Sequence, residues 1–230
     1  MRQAIRYKLI GIAAAAALIA GCAGQAPAPG EFSGFLGNYS DMTEVEAPSG
    51  QKAFRWINPK LKPSNYSAVM VPSVQFYPRA EPTAQVSQET LDQIRDYASE
   101  TFVRALREKV RVVTSPGRGV AKINAAITAV KPSEEGLAAY QYVPIAFVVT
   151  MAKRGVAGTP EEPKIVAEVM ITDSVTGEVL AKVVRVGTGK TLAEATGGTE
   201  KIITLDDVKP VFDSWANITV QNATAYIRAK

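Results

Sequence analysis

The chain contains one cysteine, Cys22, and no histidine, and this restricts what it can become more than any motif does. Beyond residue 22 there is no thiol and no imidazole. A disulfide, a thiolate nucleophile, a Ser-His-Asp triad and the usual zinc site are all out of reach. A haem iron would need one of the less common axial ligands. Such a chain must hold itself together by core burial alone, and its expected set of catalytic residues, metals and cofactors is none.

The surroundings of Cys22 give it a purpose. Arg2, Arg6 and Lys8 make a positive start, followed by an apolar run over residues 9–20. That run is too short for a hydrocarbon core, which needs about 20 residues, and has the layout of a secretory signal peptide. Ile19, Ala20 and Gly21 lead directly into Cys22, a spacing that resembles the bacterial lipobox. In lipoproteins of that kind the cysteine is diacylated, becomes the first mature residue and is commonly acylated again on its amine. Two or more acyl chains hold a protein stably on a membrane, so Cys22 is the expected point of contact with the bilayer. Ala23 follows it in place of an aspartate, the pattern of lipoproteins sorted onward to the outer membrane, here facing the periplasm.

Composition then has to be read without residues 1–21. The full chain has 26 basic and 22 acidic residues, and the signal carries three of the basic ones, so the formal charge falls from +4 to +1 (23 against 22). Net charge therefore argues against a nucleic-acid partner. Hydrophobic residues at 47% with 21% charged residues indicate a folded globular chain. Residues 22–31, small and Pro-rich, read as the lipidated start and a tether, and residues 32–230 as a single α+β domain.

Within that domain the expected architecture is one mostly antiparallel sheet, with a long helix after the first strand and a C-terminal helix packed on one face. Residues 67–76 read as a strand, with Pro72 marking an edge position or a bulge. Ser87 offers an N-cap for a helix reaching about Lys109, with Leu91, Ile94, Ala98, Phe102, Ala105 and Leu106 on one face and Glu100 and Arg104 spaced as an i,i+4 pair. Strands are expected at 110–113, 120–130, 143–152, 164–172 and 178–186. The last two flank "DSVTG", a hairpin connection in which Gly177 can take a positive φ. Ile165, Ala167, Val169 and Ile171 form one face, with Val179, Ala181 and Val183 answering from the partner strand. Residues 187–204 read as a Gly/Thr-rich loop. The closing helix is expected over 208–228, with its N-cap at Asp206 or Asp207 because Pro210 fits a first turn.

Candidate sites are few. "VGTGKT" (186–191) tempts as a phosphate loop, but the first glycine of G-x-x-x-x-G-K-[ST] would fall on Val184, inside a strand. The acidic pairs Glu134–Glu135, Glu161–Glu162 and Asp206–Asp207 are sequence neighbours, which does not establish a cleft with two separated carboxylates. "DSVTGE" lacks the alternating ligands of a calcium loop. The aromatics Trp56, Tyr66, Phe76 and Tyr77 could line a groove or edge the core. Phe35, Leu36, Trp56 and Tyr66 are taken as the candidate ligand or partner surface.

"SGFLGNYS" (33–40), "WINP" (56–59), "YSAVMVPSVQFYP" (66–78) and "DSVTGEVLA" (173–181) together resemble a family of Gram-negative lipoproteins, the domain of unknown function number thirty-three thirteen. The resemblance implies a lipoprotein of the envelope and assigns no activity and no functional residues. The resulting expectation is a non-enzymatic binding or envelope-assembly module. It would be membrane-bound through acyl chains on Cys22, with an envelope protein, lipid or glycan as partner. The alternative is a periplasmic hydrolase working with Ser/Lys or carboxylates and without histidine.

Overall fold

A computed structural model describes residues 32–46, 52–82, 86–128, 148–149, 163–188 and 203–229. Among the described residues nine strands form one mixed sheet: β1 (Thr43–Glu46), β2 (Lys52–Ile57), β3 (Ala68–Met70), β4 (Gln75–Tyr77), β5 (Arg111–Val113), β6 (Val120–Thr128), β7 (Val148–Val149), β8 (Pro163–Asp173) and β9 (Val179–Thr188). The order is β1-β2-β9-β8-β6-β3-β5, with β4 on β6 and β7 on β8. From β1 to β6 the pairing is antiparallel; β3, β4 and β5 join it in parallel. Helices α1 (Gln88–Lys109) and α2 (Leu205–Tyr226) pack on each other and on one face of the sheet. The fold is α+β as the sequence predicts, with two refinements: four strands precede α1, and the sheet has a parallel side.

Local chemistry explains most boundaries. Ser87 caps α1, its Oγ accepting the Thr90 N–H at 3.1 Å, and Leu91, Ile94, Ala98 and Leu106 bury the expected stripe. The Glu100–Arg104 pair does not form; Arg104 donates instead to Thr101 Oγ1 at 3.2 Å, and Thr101 joins the buried face. The strand expected over 67–76 breaks into β3 and β4 around Pro72, which has no N–H for a ladder, and Val74 gives its N–H to Ser99 Oγ of α1 at 2.9 Å. In "DSVTG", Gly177 has φ +75°, and the Val175 and Thr176 N–H groups both donate to Asp173 Oδ1.

The start of α2 corrects the sequence reading. Thr204 is the N-cap and Asp207 closes a capping box, its Oδ2 accepting the Thr204 N–H at 2.8 Å. Ile203 and Val208 flank that cap in the positions of a hydrophobic staple, and both are buried. These contacts outweigh Pro210, which therefore sits at the sixth helical residue and removes one interior hydrogen bond. In the β8–β9 hairpin, Ala181 and Val183 answer Ile171 and Val169 as expected, but a bulge beyond Ile171 sets Val179 opposite Thr172 and sends Leu180 into the core. Of the strand expected over 143–152, Val148–Val149 is described and pairs β8 beyond the end of β6; the acidic pairs at 134–135 and 161–162, and 189–202 of the expected loop, lie outside the described residues.

Gly187, the first glycine of "VGTGKT", has a packing reason. It lies in β9 under α2, where a Cβ would collide with Val211 Cγ1 and come 2.8 Å from Trp215 Cζ2. Trp215 and Phe212 are buried there, their rings edge to face with centroids 6.0 Å apart. Gly187→Ala is therefore expected to lift α2 from the sheet and to cost about 1–3 kcal/mol as an overpacked core does. Thermal unfolding of the detergent-solubilised full-length protein followed by circular dichroism checks this, with the secondary structure retained below the lowered Tm.

Candidate functional site

Strands β8, β9 and β2 carry a second inward face, on the side away from the helices. Its positions alternate with those above: Val166, Glu168 and Met170 on β8, Val184 and Val186 with Lys182 on β9, Phe54 and Trp56 on β2. Residues 32–42 lie across this face as a strap. Leu36 and Met42 are buried against Val166 and Val184, and Phe32, Phe35 and Tyr39 pack beside them. Phe32 stacks on Tyr39 with centroids at 4.4 Å and meets Phe54 edge-on at 5.5 Å.

Two charges lie buried beneath the strap and are satisfied largely by it. Glu168 is 0% exposed. Its carboxylate accepts from Tyr39 Oη at 2.5 Å, from the Ser33 N–H at 2.9 Å and from Thr128 Oγ1 of β6 at 3.3 Å. Lys182 is 6% exposed. Its Nζ donates to the Asn38 carbonyl at 2.7 Å and to both Asp41 carboxylate oxygens at 2.8 and 3.0 Å, and it lies 5.1 Å from the centroid of the Trp56 ring. Tyr39 is the hub inside the strap, since its hydroxyl also accepts the Gly34 and Leu36 N–H groups. Burial, and next the hydrogen bond to Glu168, push its pKa up to about 12.

Of the residues marked by sequence, Phe35, Leu36 and Trp56 gather on this face, Leu36 buried and the other two half-buried. Phe35 leans on Tyr77 at 5.4 Å. Tyr66 lies elsewhere, buried in the helix-side core beside Leu106 and Val110, its hydroxyl donating to Asp173 Oδ2 at 3.1 Å. Burial first and that hydrogen bond second push its pKa up to about 12. Phe76 packs into the helix-side core as well. Cys22 and the lipobox residues Ile19, Ala20 and Gly21 lie outside the described residues. Among the described residues no three Asp and Glu side chains come together as metal ligands.

Glu168, Lys182, Tyr39 and Asp41 are absent from the sequence reading. Their signal was available: "IVAEVMI" places a lone charge on a strand alternation otherwise apolar on both faces, and "LAKVVRV" places Lys182 as the one charge on its face, with Arg185 on the other. Such a charge is either a bulge or a buried group awaiting partners. Chemically the arrangement is a clasp, because both charged groups spend their hydrogen bonds on fastening a loop.

A family profile described as "Protein of unknown function (DUF3313)" matches residues 31–218. The "Uncharacterized lipoprotein YdcL" of Escherichia coli K12 is 32% identical over 198 residues, covering 86% of this chain and 87% of the relative. Among solved structures, the PelC dodecamer from Paraburkholderia phytofirmans aligns with a TM-score of 0.36 at 14% identity over 76% of this chain and 97% of that one. The protein CT253 from Chlamydia trachomatis aligns with a TM-score of 0.31 at 14% identity over 58% and 77%.

Removing the hub hydroxyl tests the clasp. Tyr39→Phe leaves Glu168 short of a donor and the Gly34 and Leu36 N–H groups short of an acceptor, a loss of about 1–3 kcal/mol at neutral pH. The pH dependence has a definite sign. A tyrosine raised from 10 to about 12 holds its proton more tightly when folded, so its contribution is complete below pH 10 and is lost as pH rises from 10 to 12. Urea unfolding between pH 8 and 12 should show that alkaline loss in the wild type and a shallower one in Tyr39→Phe, with Tyr66 supplying the remainder.

Proposed function

The chain belongs to the family described as "Protein of unknown function (DUF3313)", and from that membership we propose that it is an envelope lipoprotein held by acyl chains on Cys22 that acts as a non-enzymatic binding or assembly module. The chain-wide likeness to a lipoprotein supports the anchor. The placement of Ala23 after Cys22 supports sorting to the outer membrane, with the domain in the periplasm.

The observation that carries the reading is the clasp itself. The Ser33 N–H is fastened to buried Glu168, so the free tether ends there, eleven residues after Cys22. At full stretch that is roughly 35–40 Å. A short leash on a clamped strap holds one side of the sheet near the bilayer and keeps the domain from ranging across the periplasm. That geometry suits a module that meets its partner, an envelope protein, lipid or glycan, at the membrane. The charged groups best placed for chemistry, Glu168 and Lys182, are engaged in structure, which favours binding over hydrolysis.

Membrane fractionation of a Gram-negative host and intact mass measurement test this. The wild type is expected in the outer-membrane fraction with the added mass of the acyl chains, and Cys22→Ser in the soluble fraction without it. In-cell crosslinking followed by mass spectrometry should then recover a reproducible envelope partner with the wild type that is lost with Cys22→Ser. Retention of Cys22→Ser in the membrane would refute the anchor.

A further inference from the structure

Arg55 of β2 and Arg185 of β9 stand on the helix side of the sheet, near the β1 edge. Their registers, Ala53 opposite Arg185 and Arg55 opposite Val183, make them diagonal neighbours on one face. Such neighbours have Cβ atoms roughly 7–8 Å apart or less. Arg185 is flanked in its row by two small side chains, Ala53 and Ala167. Both arginines are partly buried. Among the described residues neither forms an ion pair; the charge closest in effect to Arg185 is that of Arg55. Burial first, and Arg55 second, hold the Arg185 guanidinium below its usual pKa. Two like charges partly withdrawn from water are unfavourable unless an anion sits between them.

We propose that Arg55 and Arg185 form a binding site for one phosphate group, gripped from two sides by guanidinium forks. Arginine suits this role because its planar donors match phosphate oxygens in pairs, and two guanidinium groups at this spacing can share one phosphate. Phe54, between Ala53 and Arg55, faces the other way and packs on Phe32 of the strap. The site therefore lies on the opposite face of the sheet from the strap, on the second and third strands from the sheet edge. The phosphate is supplied either by a phospholipid headgroup, a source that rests on the proposed anchor, or by free phosphate, which uses the same chemistry without it.

The test uses natively acylated full-length protein and reads its Tm. One arm adds inorganic phosphate to the protein in non-ionic detergent, against sodium chloride at equal ionic strength. The other compares nanodiscs of phosphatidylcholine with nanodiscs containing phosphatidylglycerol. Phosphate at ten times its dissociation constant should raise Tm by roughly 3–5 °C. The rise should vanish in both Arg185→Gln and Arg55→Gln, and each variant should keep the wild-type circular dichroism. A rise in the detergent arm identifies a site for free phosphate; a rise confined to phosphatidylglycerol discs identifies a lipid headgroup. No rise in either arm, or an equal rise in the variants, overturns the proposal. Intact mass reports acylation separately, so a failed anchor and a failed phosphate site give different results.

Discussion

Burying a carboxylate and an ammonium on one face of a sheet is costly unless every lone pair and proton finds a partner. Glu168 and Lys182 impose that condition on this fold. Their partners are supplied mainly by residues 32–42, through Ser33, Tyr39, Asn38 and Asp41. Lifting the strap would strand both charges together and expose Val166 and Val184, which are 2% and 0% exposed. The strap is therefore part of the domain and not an extension of the tether. Apolar contact and polar satisfaction act on the same eleven residues, which makes their detachment an all-or-none event.

The two faces of the sheet depend on each other through β8 and β9. On one side Ile165 and Gly187 receive α2 through Trp215 and Val211. On the other, Glu168 and Lys182 hold the strap. The strands carrying both layers must be straight and in register where these contacts form, and the bulge at Leu180 is accommodated near the hairpin, away from Glu168. The parallel side, β3 to β5, is tied in by α1, whose Ser99 takes the N–H freed where Pro72 breaks the strand.

How much of this is legible in sequence follows from which signals are local. Helix α1 is legible because a Ser87 cap and a 3.6-residue stripe agree. The β8–β9 hairpin is legible because alternation and "DSVTG" agree. The start of α2 misleads because Pro210 is conspicuous, whereas the Thr204–Asp207 box and the Ile203–Val208 pair decide it. The β1–β2 hairpin goes unread because its strands are short and charged, and "KAFRWI" shows no polar–apolar alternation. The candidate surface is half legible: Phe35, Leu36 and Trp56 do meet, through contacts spanning more than a hundred residues that no local pattern encodes, while Tyr66 belongs to the other core. Glu168 and Lys182 are the deeper omission, since their role exists only once a distant loop folds over them.

In the proposed lipid-anchored arrangement, the clasp sets the distance between membrane and domain, and so decides what the domain can touch. Native-state hydrogen exchange measured on the acylated protein tests that most directly. The account predicts that the Ser33 amide, donated to a fully buried carboxylate, exchanges as slowly as the amides of β8 and becomes fast when Glu168 is replaced by alanine. Fast exchange of Ser33 and Leu36 in the wild type, alongside a protected β8, would contradict it and return residues 32–42 to the tether.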